Sequence, residues 1–241
     1  MPTMAEPKEA ATRAEQIFRR LRGDLLANRF QPSEPLRFER MRNLYKSGIA
    51  PLREALSRLS ESGLVVQVGQ KGFHAAPFSL EDLHDVVKTR RTLEVLAARD
   101  AAQNGSEQWE ANLVATFHRF GKISRTKPNT PAERNLWEER HTEFHHALIA
   151  GCRSRWTRQL WSIVFDHAER YRRSAIGLGH WSENEYEDHK LLLDAAVSRD
   201  PDLLGDLLHN HIGVSAERLV AHLSPSLCSS QSIQVSRESH A

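Results

Sequence analysis

The chain has 241 residues, a formal net charge of +2, 39% hydrophobic residues and 27% charged residues. These values are ordinary for a globular protein, and no apolar run approaches the length of a membrane span. The two cysteines, Cys152 and Cys228, indicate neither a disulfide framework nor a paired metal site, so we expect a reducing cytoplasm. The charge is uneven, with a net of +5 over residues 1–78 and −3 over residues 79–223. A basic first third indicates a module that faces nucleic acid.

The first third predicts three helices and a hairpin. The signals are apolar residues spaced three and four apart, alternating apolar runs, and Pro51 in the first turn of a helix. Gly48 closes a tight turn before the third helix and can take positive φ. In chain order we expect a helix over 10–28, a strand over 36–38, helices over 39–45 and 49–62, and strands over 64–68 and 72–75. A winged helix-turn-helix has this order, with its third helix in the major groove of DNA. The alternative is a small helical subdomain that does not bind DNA.

The third predicted helix carries a family signature. Residues 48–59, Gly-Ile-Ala-Pro-Leu-Arg-Glu-Ala-Leu-Ser-Arg-Leu, resemble the recognition helix of GntR-family repressors, which usually reads Ser-Arg-Thr-Pro-Val-Arg-Glu-Ala-Leu. The resemblance implies that Arg53 contacts DNA and that residues 69–72 form the wing tip. Ile49 and Glu39 stand where the family usually has DNA-contacting arginines, so the operator sequence does not carry over. The expected DNA-contacting residues are Arg37, Arg40, Lys46, Ser47, Ile49, Ala50, Pro51, Arg53, Gln70, Lys71 and Gly72.

The rest of the chain predicts helices only. Ser79 and Asp82 have the form of a capping box, as do Ser182 and Glu185. Six helices are expected, over 80–103, 106–125, 132–151, 155–176, 183–199 and 202–223. The serine-rich segment from residue 224 predicts disorder. The predicted fold is therefore mainly α, with a winged helix-turn-helix domain over 1–78, an all-helical antiparallel bundle over 79–223 and a disordered tail over 224–241.

Four of the thirteen histidines have a geometric relation. His141 and His145 are four residues apart and share one helix face. His189 and His211 are each eleven residues from a turn near Asp200, so they should face each other across a helical hairpin. If the hairpin packs on the first helix, four imidazoles converge, and imidazole suits Zn, Ni, Cu or Fe. The alternative is that these are surface histidines with one or two in the core.

Residues 79–223 resemble the FCD effector domain of the FadR subclass of the same family. The matching features are Asp82-Leu83, Arg90-x-x-Leu93-Glu94, Phe144-His145, His189 and His211. The resemblance implies an all-helical bundle that holds a divalent metal ion, with His141 in the place of the usual aspartate. That change removes a negative charge and favours a softer ion, Zn or Ni, with a site that holds no metal as the alternative.

Arg90 lies within an otherwise apolar helix. A guanidinium aimed into a cavity would hold a carboxylate through two hydrogen bonds, and the resemblance favours this effector-binding role. The alternative is a salt bridge to Glu94, one helical turn away. The arginines of segment 170–173 could add a second anchor, but a solvated basic face is the preferred interpretation.

These observations predict a cytoplasmic, homodimeric repressor, not an enzyme, that binds double-stranded operator DNA. Arg90 and a divalent ion would hold a small carboxylate effector. The Pro-Leu-Arg-Glu-Ala-Leu core after Gly48 is similar to that of regulators of dicarboxylate breakdown, so a dicarboxylate is one candidate. Two alternatives stay open: a helical metal-dependent hydrolase, with Glu143 or Glu187 as its base, and an architectural DNA-binding protein without a ligand. No HExxH motif supports the hydrolase.

Overall fold

The computed structural model describes residues 12–177 and 184–238, with side chains over 12–175 and 184–225. The chain divides into two compact units, Met1–Pro77 and Phe78–Ala241. Helices dominate, and one small sheet follows the first three of them. The predicted fold class is therefore confirmed.

The first unit is a three-helix cluster with a hairpin. Its elements are α1 (Arg13–Leu26), α2 (Phe38–Tyr45), α3 (Ile49–Glu61), β1 (Val65–Gln67), a 3-10 turn (Gly69–Lys71) and β2 (Phe73–Ala75). β1 and β2 pair antiparallel, with Val65 opposite Ala75. The apolar faces of α1 and α3 pack together and bury Leu21, Leu25, Leu52 and Leu56 completely. This packing fixes the orientation of α3, which presents its other face outward.

Two local predictions in this unit are wrong. No strand spans 36–38: Pro35 makes an isolated bridge to His74, and Phe38 already belongs to α2. Leu36 N still donates to the carbonyl of Phe73 at 2.8 Å, but the pairing goes no further because the chain turns into α2 at Phe38. The left-handed residue of the turn between α2 and α3 is Lys46, with a φ of 49°, whereas Gly48 is extended with a φ of −72°.

The second unit contains the remaining helices. They are α4 (Leu80–Asn104), α5 (Glu107–Gly121), α6 (Pro131–Ile149), α7 (Arg155–Gly177), α8 (Glu185–Val197) and α9 (Pro201–Glu238). α4 packs against both α7 and α9, and α5 packs against α6 and α8. Its core contains the buried rings of Phe120, Phe144, Trp161 and Phe165. In the described part of the chain no helix is long and apolar enough to cross a membrane.

Two helices end at a different residue from the one that the sequence predicts, and one predicted helix start cannot be compared. α5 ends at Gly121, before the predicted residue 125, because the N–H groups of Ile123 and Ser124 both turn back to the carbonyl of Phe120. α9 continues to Glu238, across the segment predicted to be disordered. Extending an existing helix needs no new nucleus, which favours its continuation. The predicted cap Ser182 lies outside the described residues.

The chain enters the second unit at a fixed point on α7. The ring of Phe78 stacks on Tyr171, with centroids 4.2 Å apart. The Tyr171 hydroxyl accepts a hydrogen bond from Ser79 N at 3.1 Å and donates one to Asp82 Oδ2 at 2.7 Å. Ser79 also caps α4, because its Oγ accepts from Asp82 N as the sequence predicts. The first residues of the unit are therefore held by a residue near the end of α7.

Candidate functional site

The second unit brings the four predicted histidines together. α6 contributes His141 and His145, α8 contributes His189, and α9 contributes His211. Their ring centroids lie 4.4 to 5.6 Å apart for the five closest pairs. One nitrogen from each ring lies within 4.8 Å of the others, and only His211 is more than slightly exposed. The helical spacing and the α8–α9 hairpin place these side chains as the sequence indicates.

Hydrogen bonds orient two of these rings. His145 donates from Nδ1 to Glu94 Oε1 at 2.6 Å, and His189 donates from Nδ1 to the carbonyl of Glu185 at 2.6 Å. Each ring therefore keeps a proton on Nδ1 and presents the lone pair of Nε2 to the cluster. Metal-binding histidines are held in this way in many proteins, with the outer nitrogen fixed by a carboxylate or a carbonyl.

The inner nitrogens lie at distances that suit a metal ion. His145 Nε2 is 3.2 Å from His141 Nε2, and two nitrogens bound tetrahedrally at about 2.0–2.1 Å lie about 3.3 Å apart. His189 Nε2 is buried and has no hydrogen-bond partner among the described residues. A buried polar atom without a partner is costly, and a cation would satisfy it. The donor set and its orientation therefore fit a divalent metal ion.

Burial keeps these imidazoles neutral. Desolvation, with help from neighbouring positive charges, lowers the pKa of His141 and of His189 well below the usual value. It lowers the pKa of His211 to about 3. Burial also lowers the pKa of His145, against the opposing effect of Glu94. Neutral imidazole is the form that binds metal.

Arg90 lies beside the cluster and is paired with Glu94. Its Nε donates to Glu94 Oε2 at 2.6 Å, and its guanidinium carbon lies 4.7 Å from the centre of the Phe165 ring. Burial would raise the pKa of Glu94, but Arg90 and His145 outweigh this effect and hold it below its usual range. The salt bridge that the sequence left as an alternative is therefore present, and it stabilises the carboxylate that orients His145.

Arg172 is a site residue to which the sequence interpretation gave the wrong preference. The segment 170–173 was expected to be a solvated face, but Arg172 is only 7% exposed. Its charge lowers the pKa of all four histidines. Its Nη1 is 2.5 Å from Glu138 Oε2, yet neither Nη1 nor Nη2 makes a hydrogen bond of good geometry to a described residue. The sequence signal is the buried stripe Trp161, Phe165, Ala168, Arg172 and Ala175, at helical spacing.

A cleft of about 230 Å3 between α8 and α9 reaches His211. Asn210 and Arg218 line one side, and Glu185 and Asp188 line the other. Burial raises the pKa of Glu185 to about 7, against the opposing charges of Arg172 and Arg218, and it also raises the pKa of Asp188, against that of Arg218. The cleft is open to solvent and is lined by both polar and aliphatic side chains, and it reaches the cluster at His211.

The first unit exposes most of the residues predicted to contact DNA. Ile49, Ala50 and Arg53 are exposed on α3, and Arg53 lies over the ring of Phe38 at 5.1 Å. Ser47, Pro51 and Gly72 are half-buried, and Arg40 is ion-paired with Glu34. The remaining members of the predicted set are all exposed: Arg37, Lys46, Gln70 and Lys71. The turn before α3, the start of α3 and the wing tip therefore expose basic side chains. The start of α3 also exposes the apolar side chains of Ile49 and Ala50.

Two family models match the chain. The model of bacterial regulatory proteins of the GntR family matches residues 13–74, and the FCD domain model matches residues 85–214. The first match covers the three helices and the hairpin, and the second covers all four clustered histidines.

Similar proteins are regulators. The HTH-type transcriptional regulator BphR of Paraburkholderia xenovorans is 37% identical over 82% of this chain and 81% of its own length. The HTH-type transcriptional repressor GlaR of Escherichia coli is 33% identical over 81% of this chain and 90% of its own length. Among solved structures, E. coli McbR/YncC covers 87% of this chain and 99% of its own, at a TM-score of 0.72 and 16% identity, a likeness of fold alone. These families and relatives are transcription regulators and not enzymes, so the hydrolase alternative has no support.

Proposed function

This chain belongs to the GntR family of bacterial regulatory proteins and carries an FCD domain. On that basis we propose that it is a repressor whose binding to DNA is weakened or strengthened by a small carboxylate. Members of this family are DNA-binding transcription regulators. We further propose that this chain represses transcription, responds to a carboxylate, binds a metal ion and acts as a homodimer in the cytoplasm.

The observation that carries the effector class is the buried guanidinium of Arg172. Its Nη1 is ion-paired with Glu138 Oε2 at 2.5 Å, but its Nη2 has no hydrogen-bond partner among the described residues, although a buried charge needs full hydrogen bonding to be tolerated. A carboxylate offers two acceptor oxygens with the spacing of two guanidinium N–H groups. We therefore propose Arg172 as the anchor in place of Arg90, because both Nε and Nη2 of Arg90 bond Glu94, whereas Nη2 of Arg172 has no partner among the described residues.

The four histidines would hold a divalent ion, Zn or Ni in our proposal. Imidazole is a good ligand for either ion. When bound, the ion would supply a Lewis-acidic position for a carboxylate oxygen. All four protein ligands are neutral, so they leave the charge of the ion uncompensated, and an anionic effector would be attracted to the site. The effector would enter by the cleft beside His211.

The first unit would bind operator DNA as part of a symmetric dimer. Regulators of this architecture read two half-sites related by the two-fold axis of the dimer. Arg53 on α3 would contact the DNA, with Lys46 at the preceding turn and Lys71 at the wing tip. Arg40 is less available for phosphate, because it is paired with Glu34.

The test uses the full-length protein and a duplex selected from its own upstream region. Operator affinity is measured at fixed salt, with and without a panel of mono- and dicarboxylates, beside Arg172→Met and the exposed control Arg119→Ala. We expect at least one acid to change the affinity of the wild type and of the control. Arg172→Met should bind the operator but no longer respond. A panel without effect, or an unaltered response in Arg172→Met, would contradict the effector assignment, and no sequence-specific binding would contradict the regulator.

A further inference from the structure

The exposed surface at the start of α3 is apolar. Ile49 is the first residue of the helix and is 46% exposed, and Ala50 beside it is also exposed. Neither side chain belongs to the core of the first unit. One turn later the same surface presents Arg53. The helix therefore begins with two side chains that cannot form a hydrogen bond.

This position faces the bases in a helix-turn-helix, because the N-terminal residues of the recognition helix contact base edges in the major groove. Three of the four bases present only polar groups there, whereas thymine adds a methyl group. An isoleucine pressed against a polar edge would remove water from that edge without replacing its hydrogen bonds. Against a thymine methyl it would bury apolar surface on both partners.

We propose that Ile49, assisted by Ala50, reads a thymine methyl group in each operator half-site. This inference rests on the proposed operator binding and adds a base preference to it. The thymine would lie next to the base pair that Arg53 approaches, since Arg53 stands one helical turn further along the same face.

The experiment replaces thymine by deoxyuridine, which lacks only the methyl group. A duplex is first selected from random sequence with the full-length protein, and each thymine of one half-site is then replaced in turn. We expect one replacement to weaken binding by about three- to tenfold, which is the scale of one buried methyl group. In Ile49→Ala the same replacement should have much less effect, because the main partner of the methyl is gone.

Leu44→Ala provides the matched control. Leu44 is an aliphatic residue of α2 with 47% exposure, so its loss removes a similar side chain away from the start of α3. It should keep the full preference for thymine. The inference is overturned if no thymine responds to replacement, or if Ile49→Ala discriminates as well as the wild type does. Failure to select any operator would instead contradict the proposed function.

Discussion

Among single residues, substitution of Glu94 is expected to lower the free energy of unfolding the most. It is fully buried, pairs with Arg90 and orients His145. Glu94→Gln would leave the buried charge of Arg90 without a partner, and breaking such a pair costs about 3–5 kcal/mol. We expect urea denaturation to show a loss of this size, and metal titration to show affinity reduced about 10- to 100-fold.

The control for this variant is Glu139→Gln. Glu139 is exposed on α6, so its change should alter the free energy of unfolding by no more than about 0.5 kcal/mol. If Glu94→Gln were as stable as Glu139→Gln, the salt bridge of Arg90 would not stabilise the fold.

Because of His211, we expect the folded chain to lose stability in acid. Its pKa is about 3 in the folded chain, because of burial first and then the proximity of His145 and Arg90, whereas an unfolded histidine titrates near 6.5. Below about pH 6.5 the unfolded chain therefore takes up the proton first, and stability is lost between about pH 6.5 and about pH 3. At about pH 5 this single group would cost about 2 kcal/mol.

The measurement compares the urea midpoint of metal-free protein at about pH 7.5 and about pH 5. His211→Asn should show a smaller decrease than the wild type, because it removes one proton-binding group from the unfolded chain. The exposed neighbour His209 supplies the control variant His209→Asn, which should decrease as the wild type does. Equal decreases in all three proteins would contradict the assignment.

The candidate site was predictable at the histidines and not at the arginines. His141 with His145, and His189 with His211, follow from helix periodicity and from equal distances to a turn, which are properties of the backbone. The burial of Arg172 was not predicted, because a charged side chain in a basic run indicates solvent and its burial depends on packing between helices; an anchor role for its segment was only an alternative. The pairing of Arg90 with Glu94 was foreseen only as an alternative, since spacing alone does not say whether a cavity lies nearby.

At the scale of elements, the corner after α6 depends on close contact between backbones. A Cβ added at Gly151 would lie 2.9 Å from the Cα of Gly105 and 3.2 Å from that of Ala101. Backbone atoms cannot move aside as side chains do, so we expect Gly151→Ala to lower the free energy of unfolding by about 1–3 kcal/mol.

Gly23→Ala is expected to change the free energy of unfolding in the opposite direction. Gly23 is exposed within α1, and an added Cβ would meet nothing within 4 Å. The variant then differs only in the higher helix propensity of alanine, so it should be more stable by about 0.5–1 kcal/mol. Chemical denaturation of both variants measures the contrast, and the same sign of change in both would contradict it.

Element positions were largely predictable because most helices carry their own end signals. α6 begins with a capping box in which Thr130 accepts from Glu133 N and Glu133 accepts from Thr130 N, and Thr-Pro-x-Glu at 130–133 is the sequence form of that box. The strand predicted at 36–38 had no such local signal. Its assignment depended on pairing with a distant segment, and only Pro35 forms a bridge there.

For the whole molecule, metal content is the most direct prediction. Protein purified without a histidine tag should contain close to one divalent ion per chain by elemental analysis. His145→Ala and His189→Ala should contain little, because each removes a ligand whose outer nitrogen is already fixed. His209→Ala should match the wild type. Wild-type protein that carries no metal and binds none when Zn or Ni is added would contradict the four-histidine site.

The contacts of Tyr171 have a consequence for communication along the chain. Tyr171 precedes Arg172 on α7, and its hydroxyl holds Ser79 and Asp82 just after the DNA-binding unit ends. The residue proposed to hold the effector is thus adjacent to the residue that holds the connection to that unit. Allosteric coupling between two ligands is reciprocal, so the operator must change effector affinity by the same factor by which the effector changes operator affinity.

Tyr171→Phe keeps the ring that stacks on Phe78 and removes the hydroxyl. We expect the acid alone and the operator alone to bind nearly as they do to the wild type, while the coupling factor falls toward one. Calorimetric titration of the acid, with and without saturating operator duplex, measures that factor, and an unchanged factor would place the coupling elsewhere. If the expectation holds, one oxygen atom of α7 transmits most of the free energy by which a metabolite controls a gene.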